Sequence, residues 1–259
     1  MLTRAELKQR AKDSMSAAST HPVLVFLIYF VIVLAISGVI NFITQIIVTG
    51  ASFGAAALES PAAAIGAAAT LIPVSLLLSL VSFVVTSILA TGLTAYFVKT
   101  IRHEQAGIDT LFSYFKFAVK VFCLYFMTQL LISLWTLLFV IPGIIATYRY
   151  AMAVYIFIDN PDKGVMECIS ESKQLMIGHK WEFFVLQFSF LLWGCLCVVT
   201  CGLASLYVVP YSGLTCAVYY DNLIYCKNQQ QGQWTQAPNM GQPAPDMAQQ
   251  QMPENNQQM

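Results

Sequence analysis

Charged residues are scarce in this sequence, and their scarcity excludes an ordinary water-soluble domain. Lysine, arginine, aspartate and glutamate make up 10% of the 259 residues, whereas 58% are hydrophobic. A soluble domain carries about a quarter charged residues because its surface must be solvated. The 13 basic and 13 acidic residues also cancel, so bulk charge gives no reason to expect a nucleic-acid partner. The composition therefore predicts a protein that lies in lipid.

Other absences limit the chemistry that the chain could perform. Seven cysteines, an odd number mostly within apolar runs, do not predict a disulfide framework. Their one cluster is Cys195, Cys197 and Cys201. Helical spacing places Cys197 and Cys201 on one face but not Cys195, and no histidine lies nearby. We therefore expect no metal and no cofactor. Because metalloprotease, phosphate-loop and nucleophile–base signatures are also missing, we expect that the protein is not an enzyme.

Long apolar runs are abundant, and they predict an all-α bundle of six transmembrane helices. A helix that spans about 30 Å of hydrocarbon needs roughly 20 apolar residues. Pro73 suits the first turn of one such helix, and breaks at Pro142-Gly143 and at Gly202 turn two long runs into tight hairpins. The predicted transmembrane domain covers residues 21–227, with spans at 23–48, 73–98, 121–140, 143–158, 182–200 and 203–225.

The two tight hairpins end in similar phrases. Ala153-Val154-Tyr155 precedes Asp159-Asn160 in the first hairpin, and Ala217-Val218-Tyr219 precedes Asp221-Asn222 in the second. The spacing within the phrase differs by two residues, so an internal duplication stays a hypothesis.

Lysine and arginine predict which side of the membrane each connection faces. The connections around Glu59, Pro142 and Gly202 contain neither residue, and 12 of the 13 cations lie in the opposite connections and termini. By the positive-inside rule, both termini are predicted to be cytoplasmic. Residues 49–72, rich in alanine and glycine, are predicted to form an outer loop with a short helix at the interface.

Three polar segments are predicted on the cytoplasmic side. Residues 1–20 form an amphipathic segment, which is typical of attraction to anionic lipid. Because Glu6 and Asp13 reduce its positive charge, we favour the alternative that it is a solvated leader that only fixes topology. Apolar positions at helical spacing from Val165 to Met176 predict an amphipathic helix on the inner membrane surface. Residues 228–259, rich in glutamine, methionine and proline, are predicted to be a disordered tail, for which partner binding is the less favoured alternative.

Two groups of residues are candidates for contacts with lipid or ligand. His179, Lys180 and Trp181 place a cation and an aromatic ring where an interfacial anchor is expected. Arg149 is the one clear charge inside a predicted span, six residues or about 9 Å beyond Gly143. Because helical side chains tilt toward the N-terminus, Arg149 is predicted to reach outward, toward Glu59, a lipid phosphate or a helix carbonyl. Membrane anchoring and substrate contact both stay open for it.

Several phrases resemble a family of bacterial membrane proteins known as domain of unknown function 975. They include Arg4-Ala5-Glu6-Leu7-Lys8, the stretch from Tyr148 to Tyr155 and the stretch from Gly178 to Phe184. The resemblance implies a multi-pass protein of the bacterial plasma membrane and supplies no activity. The family is distantly similar to the membrane portion of glycerophosphodiester phosphodiesterases, whose catalytic domain has no counterpart in this sequence.

Two functions remain open on this evidence. The first is a non-catalytic membrane or envelope component whose partners are membrane lipids and a protein on the cytoplasmic face. The second is a transporter or lipid-handling protein with a polar site near Arg149. The sequence makes no prediction about oligomeric state.

Overall fold

The computed structural model describes residues 3–18, 20–57, 61–200 and 202–236, and these are helical, without strands. The predicted all-α class is therefore confirmed. A short 3-10 helix, Ser113–Phe117, connects two of the α-helices. The α-helices are α1 Arg4–Ala17, α2 Pro22–Ala57, α3 Pro61–Ile101, α4 Asp109–Phe112, α5 Ala118–Leu138, α6 Val140–Tyr150, α7 Ala153–Asp159, α8 Val165–Leu175, α9 Lys180–Val199 and α10 Ser205–Gln236.

Five segments of the described chain are long and apolar enough to cross a membrane. Large apolar side chains on them are widely exposed: Leu137 is 86% exposed and Val198 is 80% exposed. Such surfaces suit hydrocarbon and would be unfavourable in water. The predicted span at 203–225 lies in α10 and is not among the five, so the count of six stays a prediction. The five segments are Pro22–Gly50, Leu71–Ile101, Asp109–Leu138, Val140–Asp159 and Lys180–Val199.

The predicted outer loop at 49–72 is wrong, because most of it is helical. α2 continues to Ala57 and α3 begins at Pro61, so Pro73 lies inside α3 and not in its first turn. Alanine has the highest helix propensity of all residues, which accounts for helix in an alanine-rich stretch. The 36 residues of α2 span about 54 Å, well beyond the roughly 30 Å of a hydrocarbon layer.

The first tight hairpin turns at Phe139, not at Pro142-Gly143 as predicted. Phe139 is extended between α5 and α6, and Pro142 lies in the first turn of α6, where a missing amide costs nothing. Gly143 instead allows close helix packing, since a Cβ there would lie 2.8 Å from the Cα of Thr136 in α5. The predicted span 143–158 is also divided, because a turn at residues 151–152 separates α6 from α7.

The helix predicted between Val165 and Met176 forms α8. Its apolar side is covered by neighbouring helices, because α8 packs against α5, α6, α7 and α10. Its location on the inner membrane surface stays a prediction. The residues it buries are Cys168, Ile169, Ser172 and Leu175.

α10 lies centrally in the packing and is longer than predicted. It packs against α1, α2, α3, α8 and α9. It extends to Gln236, so residues 228–236, predicted as part of the disordered tail, are helical. Glutamine is a good helix former, so a helix anchored by its apolar part can continue into a glutamine-rich segment. Residues 237–259 lie outside the described part of the chain.

Candidate functional site

Arg102, immediately after α3, contacts two aspartates that belong to different helices. Its guanidinium donates to both carboxylate oxygens of Asp159 at the end of α7, at 2.7 Å and 3.0 Å. Its Nε donates to Oδ1 of Asp221 in α10 at 3.1 Å. The planar guanidinium suits such two-point contacts with carboxylates. These three residues, the Arg102 cluster, join α3, α7 and α10.

Tyr220 extends the Arg102 cluster into the protein interior. Its hydroxyl donates to Oδ2 of Asp159 at 2.8 Å, and only 1% of the residue is exposed. Its ring stacks on that of Tyr155 with 5.2 Å between centroids. Asp159 therefore accepts three hydrogen bonds, two from Arg102 and one from Tyr220.

The two carboxylates favour the charged form of Arg102. Hydrogen bonds from Arg102 to Asp159 are the main reason why the pKa of the guanidinium is raised above its ordinary value. One positive charge faces two carboxylates, so the cluster has a net charge of −1 when all three groups are ionised. All three side chains are partly exposed, and solvent therefore screens part of their interaction.

A tight turn after α3 places Arg102 at this position. His103, the next residue, has φ +56°, in the left-handed region that ends many helices. Its amide donates to the carbonyl of Thr100, and the amide of Glu104 donates to that of Lys99. These bonds satisfy the last carbonyls of α3 and direct the chain back toward α4.

A second group, the Glu171 cluster, lies on α8. Glu171 accepts from Lys163 at 2.6 Å and from Lys227 of α10 at 3.0 Å. These contacts lower the pKa of Glu171, and the hydrogen bond from Lys163 is the largest cause. The Glu171 cluster therefore joins the turn after α7, α8 itself and the polar part of α10.

The sequence can be compared with known families once this geometry is in view. The profile of a family described as protein of unknown function (DUF975) matches residues 1–145 and 136–227. The chain belongs to this family. Both clusters lie within the matched residues. No curated protein and no solved structure matches the chain.

The convergence of two aspartates on Arg102 in this DUF975 protein was not predicted from the sequence. Asp159 and Asp221 close the two similar hairpin phrases, and the structure brings both to one guanidinium. Arg102 itself was used only to predict which side of the membrane its connection faces. Nothing local marks it as their partner, because it is 57 residues from Asp159 and 119 from Asp221 along the chain.

Arg149 lies beside α8, and its reach toward the outer headgroups stays a prediction. Its backbone carbonyl accepts from the hydroxyl of Ser172 at 3.0 Å. α8 packs against α6, the helix that carries Arg149. The side chain of Arg149 is half-buried and makes no ion pair with the described residues. Its role as a lipid or ligand contact stays a prediction, and Glu59 lies outside the described residues.

The predicted anchor residues stand at the start of α9 in this DUF975 chain. Gly178, with φ +82°, ends the preceding turn, and α9 begins at Lys180 after His179. Trp181 is 71% exposed, and its ring stacks on Phe184 at 5.2 Å. This exposed ring beside Lys180 is typical of a membrane interface, although that location stays a prediction.

The described residues were also compared with the requirements of a metal site. They contain no group of three histidine, cysteine or acidic residues that could hold a metal ion. Cys195 and Cys197 are free thiols, and Cys201 lies outside the described part. Within the Arg102 cluster and within the Glu171 cluster, the charged groups pair with one another. These ion pairs join neighbouring helices.

Proposed function

We propose that this DUF975 chain is a non-catalytic component of the bacterial plasma membrane, acting through lipid or protein contacts on its cytoplasmic side. Five apolar segments support the membrane location. We propose α10 as the sixth span, with both termini cytoplasmic. Its tyrosines, Asp221 and Asn222 lower its hydropathy, and its central packing covers some of them: Tyr220 and Asn222 are buried, whereas Tyr225 is 62% exposed.

The observation that carries this proposal is the closed pairing of the Arg102 cluster. Arg102, Asp159 and Asp221 satisfy one another and hold three helices in one arrangement. Separating them would leave partly buried charges without partners, which is costly. Three helix ends held in one arrangement by ion pairs are expected of a scaffold, which presents a constant surface. They are less expected of a transporter, whose gate must open.

Topology provides the first test. The full-length chain would carry short epitope tags at both ends, and antibody access would be compared in spheroplasts and inside-out vesicles. We expect alkaline-resistant membrane association, with both tags accessible in inside-out vesicles only. Tags on opposite sides would contradict six spans, and release by alkaline washing would contradict membrane integration.

The lipids and proteins that co-purify with the chain provide the second test. We expect specific lipids or one stable protein partner to accompany the chain through purification in mild detergent, as mass spectrometry would detect. Flux of a solute in vesicles containing only the purified protein would instead favour transport.

A lipid-handling or transport role near Arg149 is the second candidate. The half-buried guanidinium without an ion pair among the described residues is the observation that favours it. In Arg149→Ala, unchanged abundance with lost ligand binding would support this role. Arg149→Lys would then retain part of the binding, and loss of abundance alone would support anchoring.

A further inference from the structure

Parts of α2 and α3 lie side by side with little cover from other helices. Between Leu27 and Gly50 on α2, and between Leu71 and Thr86 on α3, no described side chain is buried. Phe42, for example, is 67% exposed. These two stretches, the open arms, lie in segments that are apolar enough to cross a membrane. Much of their surface is therefore available to another helix.

An open groove of about 710 Å³ runs between the two open arms. Leu76, on its wall, is 70% exposed, so the groove is not closed by the rest of the bundle. The groove is unusual for a surface of such apolar helices, because most of its lining is polar. The polar side chains that line it are Asn41, Thr44, Ser75, Ser79, Ser82 and Thr86.

Asn41 and Ser82 are the two groove residues with unused hydrogen-bonding groups. The amide of Asn41 donates one hydrogen to the carbonyl of Ser37 at 2.7 Å, and its carboxamide oxygen accepts none from the described residues. The hydroxyl of Ser82 has no hydrogen-bond partner in the described part of the chain. The four other polar side chains donate to carbonyls of their own helices.

Both residues lie at the depth of hydrocarbon when their segments are centred in a bilayer. Asn41 is five residues from the midpoint of Pro22–Gly50, and Ser82 is four residues from the midpoint of Leu71–Ile101. At about 1.5 Å per residue, these offsets are well inside the roughly 15 Å half-thickness of the hydrocarbon. Lipid tails offer no hydrogen bonds at this depth, so a polar helix surface is the better neighbour.

Three features of the open arms favour a second copy of the chain as that neighbour. Lysine, arginine, aspartate and glutamate are absent from Pro22–Ala57 and from residues 61–98, so two copies would not repel each other. Asn41 has both an unused amide hydrogen and an unused oxygen, so two copies related by a two-fold axis can exchange two equal hydrogen bonds.

The third feature is the size of the surface. The α2 arm, residues 27–50, is about 36 Å long, and two helices side by side are about 20 Å wide. Each copy thus offers about 700 Å², close to the roughly 800 Å² that each partner of a stable complex buries.

We propose that two copies of the chain associate within the membrane through their open arms, with Asn41 of one copy hydrogen-bonded to Asn41 of the other. The inference rests on the proposed membrane location, and it adds a contact inside the bilayer to those proposed on the cytoplasmic side. An acyl chain could fill the groove but would leave Asn41 and Ser82 without partners.

The test measures association of full-length copies in vesicles of phosphatidylethanolamine and phosphatidylglycerol. Copies with a donor or an acceptor dye on a C-terminal tag are mixed, and energy transfer is followed as lipid is added. We expect a dimer that dissociates on dilution with lipid. Asn41→Leu removes both exchanged hydrogen bonds and should raise the dissociation constant at least about fivefold. The control, Gln129→Leu, changes an exposed amide of α5 outside the groove and should shift the constant less than about twofold.

Asn41→Cys tests the position of the two-fold axis. Because Asn41 meets its own copy in the proposed dimer, copper phenanthroline should oxidise two such thiols to a disulfide between copies in membranes. The native cysteines set the background, which is measured with the unaltered protein. Gln129→Cys is the matched control and should stay at this background. Cross-linking at background level by Asn41→Cys would contradict the proposal even if Asn41→Leu failed to fold.

Other results would also overturn the proposal. Energy transfer no greater than that of randomly distributed copies would show that the protein is a monomer. Equal weakening by Asn41→Leu and Gln129→Leu would rule out a specific contact at the groove. A monomer that retains a lipid in native mass spectrometry, and loses it in Asn41→Leu, would identify an acyl chain as the occupant.

Failure of this inference can be told from failure of the proposed function. If alkali washes the chain from membranes, the proposed function itself has failed. If the chain stays in the membrane as a monomer, only the association through the open arms has failed.

Discussion

Tyr220 and Arg102 share one acceptor, Oδ2 of Asp159, at 2.8 Å and 3.0 Å respectively. A neutral donor from the buried side and a charged donor from the open side thus converge on a single carboxylate. Asp159 ends α7, so both contacts fix where the chain leaves the first hairpin and enters the turn before α8. The Glu171 cluster then fixes the following helix to the same α10.

Removing the guanidinium of Arg102 should destabilise the end of the bundle where α3, α7 and α10 meet. In Arg102→Gln, Asp159 and Asp221 would lose their only cation among the described residues and would repel each other. We expect a loss of about 1–3 kcal/mol, below the range for fully buried pairs because these side chains are partly exposed. Thermal unfolding of the purified protein in detergent would measure it. Arg10→Gln, an exposed cation, should cost less than about 0.5 kcal/mol, and equal losses in both variants would contradict the role of Arg102.

The hydroxyl of Tyr220 should contribute separately from its ring. Tyr220→Phe keeps the stacking on Tyr155 and removes only the hydrogen bond to Asp159. We expect a loss of about 1 kcal/mol, the usual contribution of such a bond. In an Arg102→Gln background the loss should change, because both donors share one oxygen. A double-mutant cycle by thermal unfolding would measure this coupling, and strict additivity would argue against the shared acceptor.

Sequence patterns located the apolar segments, but they missed the helical ends of α2, α3 and α10 and did not predict how the helices meet. Hydropathy gave all five apolar segments, because a run of apolar residues reports lipid exposure directly. Asp159 and Asp221 were noted only as the ends of two similar motifs, and their contact with Arg102 was not predicted. The position of α8 could not be predicted, since an amphipathic pattern fits burial against protein as well as against lipid.

Close packing of α5 and α6 should depend on a single glycine. In Gly143→Ala, the added methyl would meet the backbone of Thr136, with only 2.8 Å to its Cα. We expect a loss of about 1–3 kcal/mol from this overpacking, measured by thermal unfolding. Gly194→Ala in α9 is the matched control, because a Cβ there meets nothing within 4 Å. That variant should be neutral or stabilised by up to about 1 kcal/mol, since alanine favours helix. Similar losses at both positions would contradict a specific contact at Gly143.

Acid should weaken the attachment of α8 to α10 through Glu171. Because Lys163 and Lys227 lower its pKa below the ordinary 4.5, the unfolded state takes up a proton on this group at higher pH than the folded state does. The stability it contributes is therefore fully present above about pH 4.5 and is lost as the pH falls through the lowered folded pKa.

Glu171→Gln isolates this contribution. The variant should be less stable than the unaltered protein near pH 7, and the difference should shrink as the pH falls through and below 4.5. Thermal unfolding across this range would measure the difference. Glu167→Gln, one turn earlier on α8 and bonded only to the backbone amide of Gly164, is the control and should show a smaller dependence. A constant difference between unaltered protein and Glu171→Gln at every pH would show that packing, and not the charge on Glu171, holds α8 against α10.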